Sequence, residues 1–136
     1  MLKQIKEYFK KCPLLEGSKI NVNYLAQKAL SYSIEAEPGE RTIKNYVDGG
    51  ELRQKTFLFA SREEFDYDPK GNEDIAKFYE DLSAWIDENN KKRILPKLDK
   101  GCEPFEVKIS SSEYLTSEDG KTARFQMQLK LIYKID

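Results

Sequence analysis

The chain has 136 residues, enough for one domain with its own hydrophobic core and no support from disulfides or a metal. Its 24 acidic and 23 basic side chains give a net charge of -1, which provides no long-range field for gripping a nucleic acid. The absence of histidine excludes Ser-His-Asp and Cys-His catalysis and the commonest zinc, copper and iron sites, leaving only carboxylate, lysine or tyrosine chemistry open.

The first predicted element is a short amphipathic helix over residues 1–11. Leu2, Ile5 and Phe9 fall on one face of this helix, and lysines fill the other. Pro13 ends it. We expect the helix to pack beside the central helix described below, with its basic side in solvent.

Three alternating segments follow and predict strands with one wet face, over residues 19–24, 32–36 and 42–47. The sequence Asp-Gly-Gly at 48–50 then predicts a tight turn, because glycine tolerates the positive φ that hairpins require. The next strand, predicted over residues 54–65, must therefore run back antiparallel.

That returning strand is apolar on both faces from Thr56 to Ala60. A strand of this kind is buried on two sides. The helices can cover one side; the other needs a crossing hairpin or another protein, and both alternatives stay open. Arg62, Glu63 and Glu64 follow, and we interpret them as a solvated strand end rather than an acid/base cluster.

The most regular pattern predicts a helix over residues 72–90. Its apolar residues recur every three or four positions and form one stripe, and acidic residues fill the opposite side. The stripe consists of Ile75, Phe78, Tyr79, Leu82, Trp85 and Ile86. Burying each large ring is worth about 1.5–3 kcal/mol, so this helix needs a sheet on which to lie.

The last part of the chain predicts the longest hairpin. A strand begins near Phe105 and runs to Leu115, a turn occupies 117–120, and residues 125–133 alternate between apolar and polar side chains. The order of elements predicts an α+β fold in a single domain, 1–136. Its mostly antiparallel sheet carries the amphipathic central helix and the short N-terminal helix on one face.

Cysteines and aspartates provide no metal or disulfide motif. Cys12 and Cys102 lack CxxC spacing, and we expect free thiols. Asp66, Asp68 and Asp74 lack the register of a calcium loop. The chain has no secretory leader and no 18-residue apolar stretch, so we expect a cytosolic protein that does not enter a membrane.

A set of short strings, in a fixed order, resembles a minor capsid protein family encoded by long-tailed phages and prophages of Gram-positive bacteria. Each string alone is weak, and their common order carries the resemblance. The strings are YFKKCPLL at 8–15, INVNYL at 20–25, YSIE at 32–35, IKNYVDG at 43–49, the stretch 57–62, FYE at 78–80, Trp85-Ile86, Leu95-Pro96 and ARFQMQ at 123–128.

This family is similar to tail terminator (tail completion) proteins, which form a hexameric ring on the end of the tail tube. The resemblance implies that the ring stops tube growth and helps to join the filled head. The implied partners are further copies of the chain, the tail-tube protein and a head-completion protein, in the host cytoplasm during assembly and then in the virion. The family has no catalytic motif to transfer, so we expect no enzyme, no cofactor, no membrane contact and no nucleic-acid binding by the isolated chain.

A ring needs two different patches on each subunit. We expect the doubly apolar strand and the long C-terminal hairpin to supply one of them. The candidate interface residues are Phe57, Phe59, Arg62, Glu63, Glu64, Arg124, Gln126 and Gln128.

Three other functions compete with this hypothesis. The first is another head-tail connector or stopper protein. The second is a small ligand-binding or enzymatic α+β domain, with Tyr79, Trp85, Tyr114 or Glu80 at the mouth of a pocket between the sheet and the central helix. The third is an RNA-binding sheet around 124–127. This function is disfavoured because the aromatic residues alternate onto the inward face of the strand and because the net charge is close to zero.

Overall fold

Two 14-residue strands form the centre of the sheet in a computed structural model that describes residues 1–27, 29–64, 69–118 and 121–136. Phe65, Asp66, Asp68 and part of the turn predicted at 117–120 lie outside these residues. In chain order the elements are α1 (Leu2–Phe9), a 3-10 turn (Pro13–Leu15), β1 (Ile20–Val22), β2 (Ser31–Ala36), β3 (Arg41–Asn45), β4 (Glu51–Glu64), α2 (Pro69–Lys92), β5 (Cys102–Ile109), β6 (Tyr114–Glu118) and β7 (Thr122–Ile135).

The described strands form one mostly antiparallel sheet, and the predicted α+β fold class is confirmed. β4 and β7 pair antiparallel along their whole length, from Glu51 opposite Ile135 to Glu64 opposite Thr122. β2 and β3 share the outer edge of β4, and β5 and β6 share the outer edge of β7. β1 joins β2 as a parallel edge strand.

The prediction of one continuous strand from Phe105 to Leu115 is wrong, because the chain leaves the sheet between β5 and β6. Ser110 and Ser111 both donate their amides to the carbonyl of Gln128, at 2.8 and 3.2 Å. The Ser111 hydroxyl accepts the Gln128 amide at 3.2 Å. Two residues thus oppose one, as in a β-bulge, and the pairing resumes only at Tyr114.

Both helices lie on one face of the sheet, as predicted. The rings of Tyr8 in α1 and Trp85 in α2 are 4.9 Å apart, so the two helices pack side by side. Phe9 contacts Phe59 of β4 at 5.4 Å, and Phe78 completes this aromatic cluster. The central helix is longer than the predicted 72–90 because it continues to Lys92.

Alternation along the two central strands divides the sheet into two faces. Odd-numbered residues of β4 and β7, such as Phe59 and Met127, point to the helices; we call this side the helix face. The opposite side, made by even-numbered residues of both strands, we call the open face. Cys12 and Cys102 are free, as expected.

β4 is buried on both faces, as its sequence predicts. On the open face Leu58 is 8% exposed and Ala60 is 0% exposed. Every described strand belongs to the single sheet, so no crossing hairpin of the described chain covers these residues. Gln128 lies directly beside Leu58, and Gln126 lies beside Ala60, so neighbouring polar side chains provide the cover.

A candidate protein-interaction face

Five of the eight predicted interface residues lie together on the open face. In the paired strands β4 and β7, Arg62 stands opposite Arg124, and Glu64 follows Arg62 two positions later on the same face. Gln126 and Gln128 continue the row along β7. The sheet register therefore brings residues that are some sixty positions apart in sequence into one polar surface.

The other three predicted residues lie on the helix face, which corrects their expected placement. Phe57 and Phe59 have no exposed surface, because α1 packs on both rings. Glu63 is 8% exposed, although we expected a solvated strand end. The period-two alternation of the strand assigns all three residues to the face of the buried phenylalanines.

The open face contains a bidentate ion pair between Arg124 of β7 and Glu35 of β2. The guanidinium donates to the two carboxylate oxygens at 2.9 and 3.0 Å, and the Ser33 hydroxyl donates to one of them at 2.6 Å. Burial acts to raise the pKa of Glu35, but the hydrogen bonds from Arg124 and Ser33 outweigh it and lower the pKa. The pair joins two strands that are separated by β4.

Hydrogen bonds extend this pair toward β6. Arg124 also donates through Nε to the side-chain oxygen of Gln126 at 3.1 Å. Gln126 in turn donates to the Tyr114 hydroxyl at 2.7 Å. The chain of contacts from Glu35 to Tyr114 crosses four neighbouring strands and holds the side chains in place before any partner binds.

The other end of the open face contains a concavity of about 610 Å³. Apolar side chains of Ile43, Leu52 and Ile132 line it together with polar groups. Nearby, Lys134 lies 4.9 Å from the centre of the Tyr46 ring. This end of the face combines apolar surface with positive charge.

Two residues at the end of α2, Asn90 in its last turn and Arg93 just after it, close the outer edge of β5. The Asn90 side chain donates to the carbonyl of Val107 at 2.9 Å and accepts its amide at 3.1 Å. Arg93 donates to the carbonyl of Phe105 at 3.0 Å. These bonds occupy backbone groups with which an added strand would pair, so the edge is protected against strand addition. The residue spacing in the sequence does not predict that Asn90 and Arg93 bind the backbone of β5.

A buried polar cluster lies between α2 and the helix face. The hydroxyls of Tyr79 and Ser61 are 2.6 Å apart, and Tyr79 also donates to the carbonyl of Phe125 at 3.3 Å. Burial raises the pKa of Glu63 above its ordinary value and raises that of Tyr32 to about 12. The cluster lies among buried core residues.

The four residues expected at a ligand pocket do not converge. Tyr79 is fully buried, Glu80 is exposed on the outer side of α2, and Tyr114 hydrogen-bonds on the open face. Trp85 lines a separate pocket of about 250 Å³ with Tyr8. The space between sheet and central helix is filled by aromatic and aliphatic side chains.

The described residues contain no group of three acidic, cysteine or histidine side chains placed to hold a metal ion. Among them, no helix is both long and apolar enough to cross a membrane. Comparison with known proteins found no matching family model and no matching curated protein.

Proposed function

We propose that the chain is a structural protein of a long-tailed phage or prophage, which caps the tail tube as a ring and joins the tail to the head. The observation that carries this proposal is the open face. No described helix or strand packs on the open face of the 14-residue strand pair, and polar side chains there are held in a network from Glu35 to Tyr114. The ordered sequence strings that resemble tail terminators support the same function.

The proposed mechanism needs no chemical reaction. One side of the ring matches the last ring of the tube, and the other side offers no matching surface for a further tube subunit, so growth stops by steric and electrostatic mismatch. The side chains of the open face are suited to this function because charged groups fixed by neighbours set register and partner choice. In this proposal the chain is not an enzyme and needs no cofactor.

Protection of the sheet edges is consistent with assembly into a closed ring. Asn90 and Arg93 block the outer edge of β5, and the other outer strands are short, with three residues in β1 and five each in β3 and β6. Short or blocked edges prevent open-ended strand addition. Subunits would then associate through faces, and a face-to-face contact between two different patches closes into a ring when the rotation fits.

Electron microscopy of purified components tests the proposal. Gold-labelled chain is mixed with purified tail tubes and, separately, with filled tail-free heads. A terminator binds as a sixfold ring at one end of the tube, and the ring then recruits heads. Binding to heads alone indicates a connector or stopper, and a labelled chain that binds neither component contradicts the proposal.

Localisation gives an independent readout of the same proposal. The chain is expected in the host cytoplasm during assembly and in the purified virion afterward, in about six copies per particle for one hexameric ring. Quantitative mass spectrometry of virions against the tail-tube protein measures this ratio. Its absence from virions would contradict a role as a permanent cap.

A further inference from the structure

The concavity on the open face is lined by more basic than acidic side chains. Three cations, Arg93, Lys108 and Lys130, line it, against one carboxylate, that of Glu106. We call it the basic concavity. The apolar side chains described above also line it, and Asn90 of α2 borders it at the outer edge of β5.

Two of these cations repel each other. Lys108 of β5 stands directly opposite Lys130 of β7 in the sheet register. Like charges at such positions destabilise a sheet. Among the described residues neither ammonium group makes an ion pair. A carboxylate brought in by a partner would remove this repulsion.

A complementary surface lies on the outer side of α2. Between residues 73 and 88 this helix carries six acidic side chains and one lysine. Glu73, Glu80 and Asp87 recur every seven residues and are all exposed; we call them the acidic stripe. Seven residues rise about 10.5 Å along a helix, so the three carboxylates lie almost directly above one another. None of them makes an ion pair with a described residue.

The two surfaces lie on opposite sides of the subunit. The stripe lies on the outer side of α2, whereas Lys130 and its neighbour Lys108 project from the open face, on the far side of the sheet. One molecule therefore cannot bring them together. A second copy can, and its own stripe then remains free for a third copy, which is the condition for a head-to-tail contact.

We propose that the occupant of the basic concavity is a second copy of this chain, whose acidic stripe places a carboxylate between Lys108 and Lys130. The contact is heterologous and directional, and it is the contact between neighbouring subunits of the ring. Ring closure rests on the proposed function, whereas the pairing of the two surfaces rests on their charge and position.

Charge reversal in two matched variants tests this contact. The first is Lys108→Glu with Lys130→Glu, and the second is Glu80→Lys with Asp87→Lys. Each variant presents like charge on both surfaces and is expected to associate with itself at least tenfold more weakly than the wild type. Equimolar mixing restores both contacts, because each reversed surface then meets its opposite in the other variant, and six is an even number of subunits.

Association is measured by sedimentation velocity and native mass spectrometry up to millimolar chain, and by imaging of rings on tube ends. Circular dichroism confirms that the variants are folded. A control with Glu16→Lys and Lys97→Glu, both exposed in connecting segments, is expected to associate like the wild type. Rising salt is expected to weaken wild-type association.

Several outcomes would overturn the inference. Rings on tube ends that persist in both variants would exclude this contact while leaving the proposed function intact. Loss of tube or head binding by the lysine variant without loss of self-association would assign the concavity to another protein. A wild type that stays monomeric in solution and on tubes would exclude it as well. If mixing the variants restores association but the wild-type chain does not bind tail tubes, the result would support the contact and contradict the proposed function.

Discussion

Arg124 binds Glu35 from two strands away, across the position where β4 carries its smallest open-face side chain, Ala60. Ala60 is fully buried although it lies on the face away from the helices. The ion pair therefore explains how a strand that is apolar on both sides stays covered in a single subunit. It also fixes the open face in one arrangement before a partner arrives.

Replacing Glu35 with glutamine is expected to destabilise the protein by about 1–2 kcal/mol at pH 7, because Arg124 loses a charged partner with both side chains about one-fifth exposed. The pKa of Glu35 is lowered on folding, so its stabilising effect is present above the ordinary glutamate pKa and disappears as the pH falls through the lowered value. Urea unfolding of both proteins between pH 7 and pH 2 should show the difference shrinking with acid. Glu16→Gln, at an exposed site without an ion pair, should change nothing.

Glu63 predicts the opposite pH dependence. Burial raises its pKa, so folding favours the protonated acid, and stability is lost as the pH rises from the ordinary value toward the raised one. Glu63→Gln should therefore raise the free energy of unfolding at pH 7 and have no effect below about pH 4. The same urea titration measures it. A variant less stable than the wild type at pH 7 would mean that the folded protein favours the carboxylate.

Tyr79→Phe should cost about 1–2 kcal/mol, because the Ser61 hydroxyl and the Phe125 carbonyl each lose a hydrogen bond. Removing both hydroxyls in Ser61→Ala with Tyr79→Phe should cost less than the sum of the two single changes, since neither of the two hydroxyls is then left without the other. Urea unfolding at pH 7 measures the double-mutant cycle. Additive losses would indicate that the two hydroxyls are energetically independent.

Arg93 lies in a left-handed conformation, with φ of 59°, where glycine is the usual residue at a helix end. The amide of Ile94 donates back to the carbonyl of Asn89 at 2.8 Å, which closes the last turn of α2. Arg93→Ala keeps the strained backbone and loses the bond to Phe105, for an expected loss of about 0.5–1.5 kcal/mol. Arg93→Gly should be about 1 kcal/mol more stable than the alanine variant.

Equal stability of the alanine and glycine variants in urea would contradict the inference that the backbone at Arg93 is strained. Proteolysis near the end of α2 offers a second readout, because both variants free the edge of β5 from one of its two side-chain contacts. Asn90→Ala, which removes the other contact, serves as the comparison and should expose this edge to a greater degree.

Periodicity in the sequence was sufficient to predict the main elements. The apolar stripe of α2 and the alternation of β7 each extend over enough residues that no other structure would bury them, and both elements are confirmed. The predicted burial of β4 on both faces is also confirmed, because the adjacent residues Leu58 and Phe59 point to opposite faces and are both buried. Local pattern fails at the break between β5 and β6, where hydrogen bonds to Gln128 redirect the chain.

The candidate interaction face was only partly predictable. Arg124 and Gln126 were identified from the alternation of one strand, but Glu35 lies 89 residues from Arg124, and only strand order brings the two together. Glu63 sits at the end of a strand among charged residues, so its burial depends on how α2 lies over the sheet. The pairing of Lys108 with Lys130 likewise exists only in the register of β5 with β7.

The proposed capping function is tested by the length of the tails made by a phage or prophage whose genome carries the gene for this chain. That gene is deleted, the tails are imaged by electron microscopy, and the wild-type chain is resupplied in the same host as the control. We predict overlong tails of variable length without joined heads in the deletion, and uniform tails joined to heads after resupply. Tails of normal length in the deletion would contradict it.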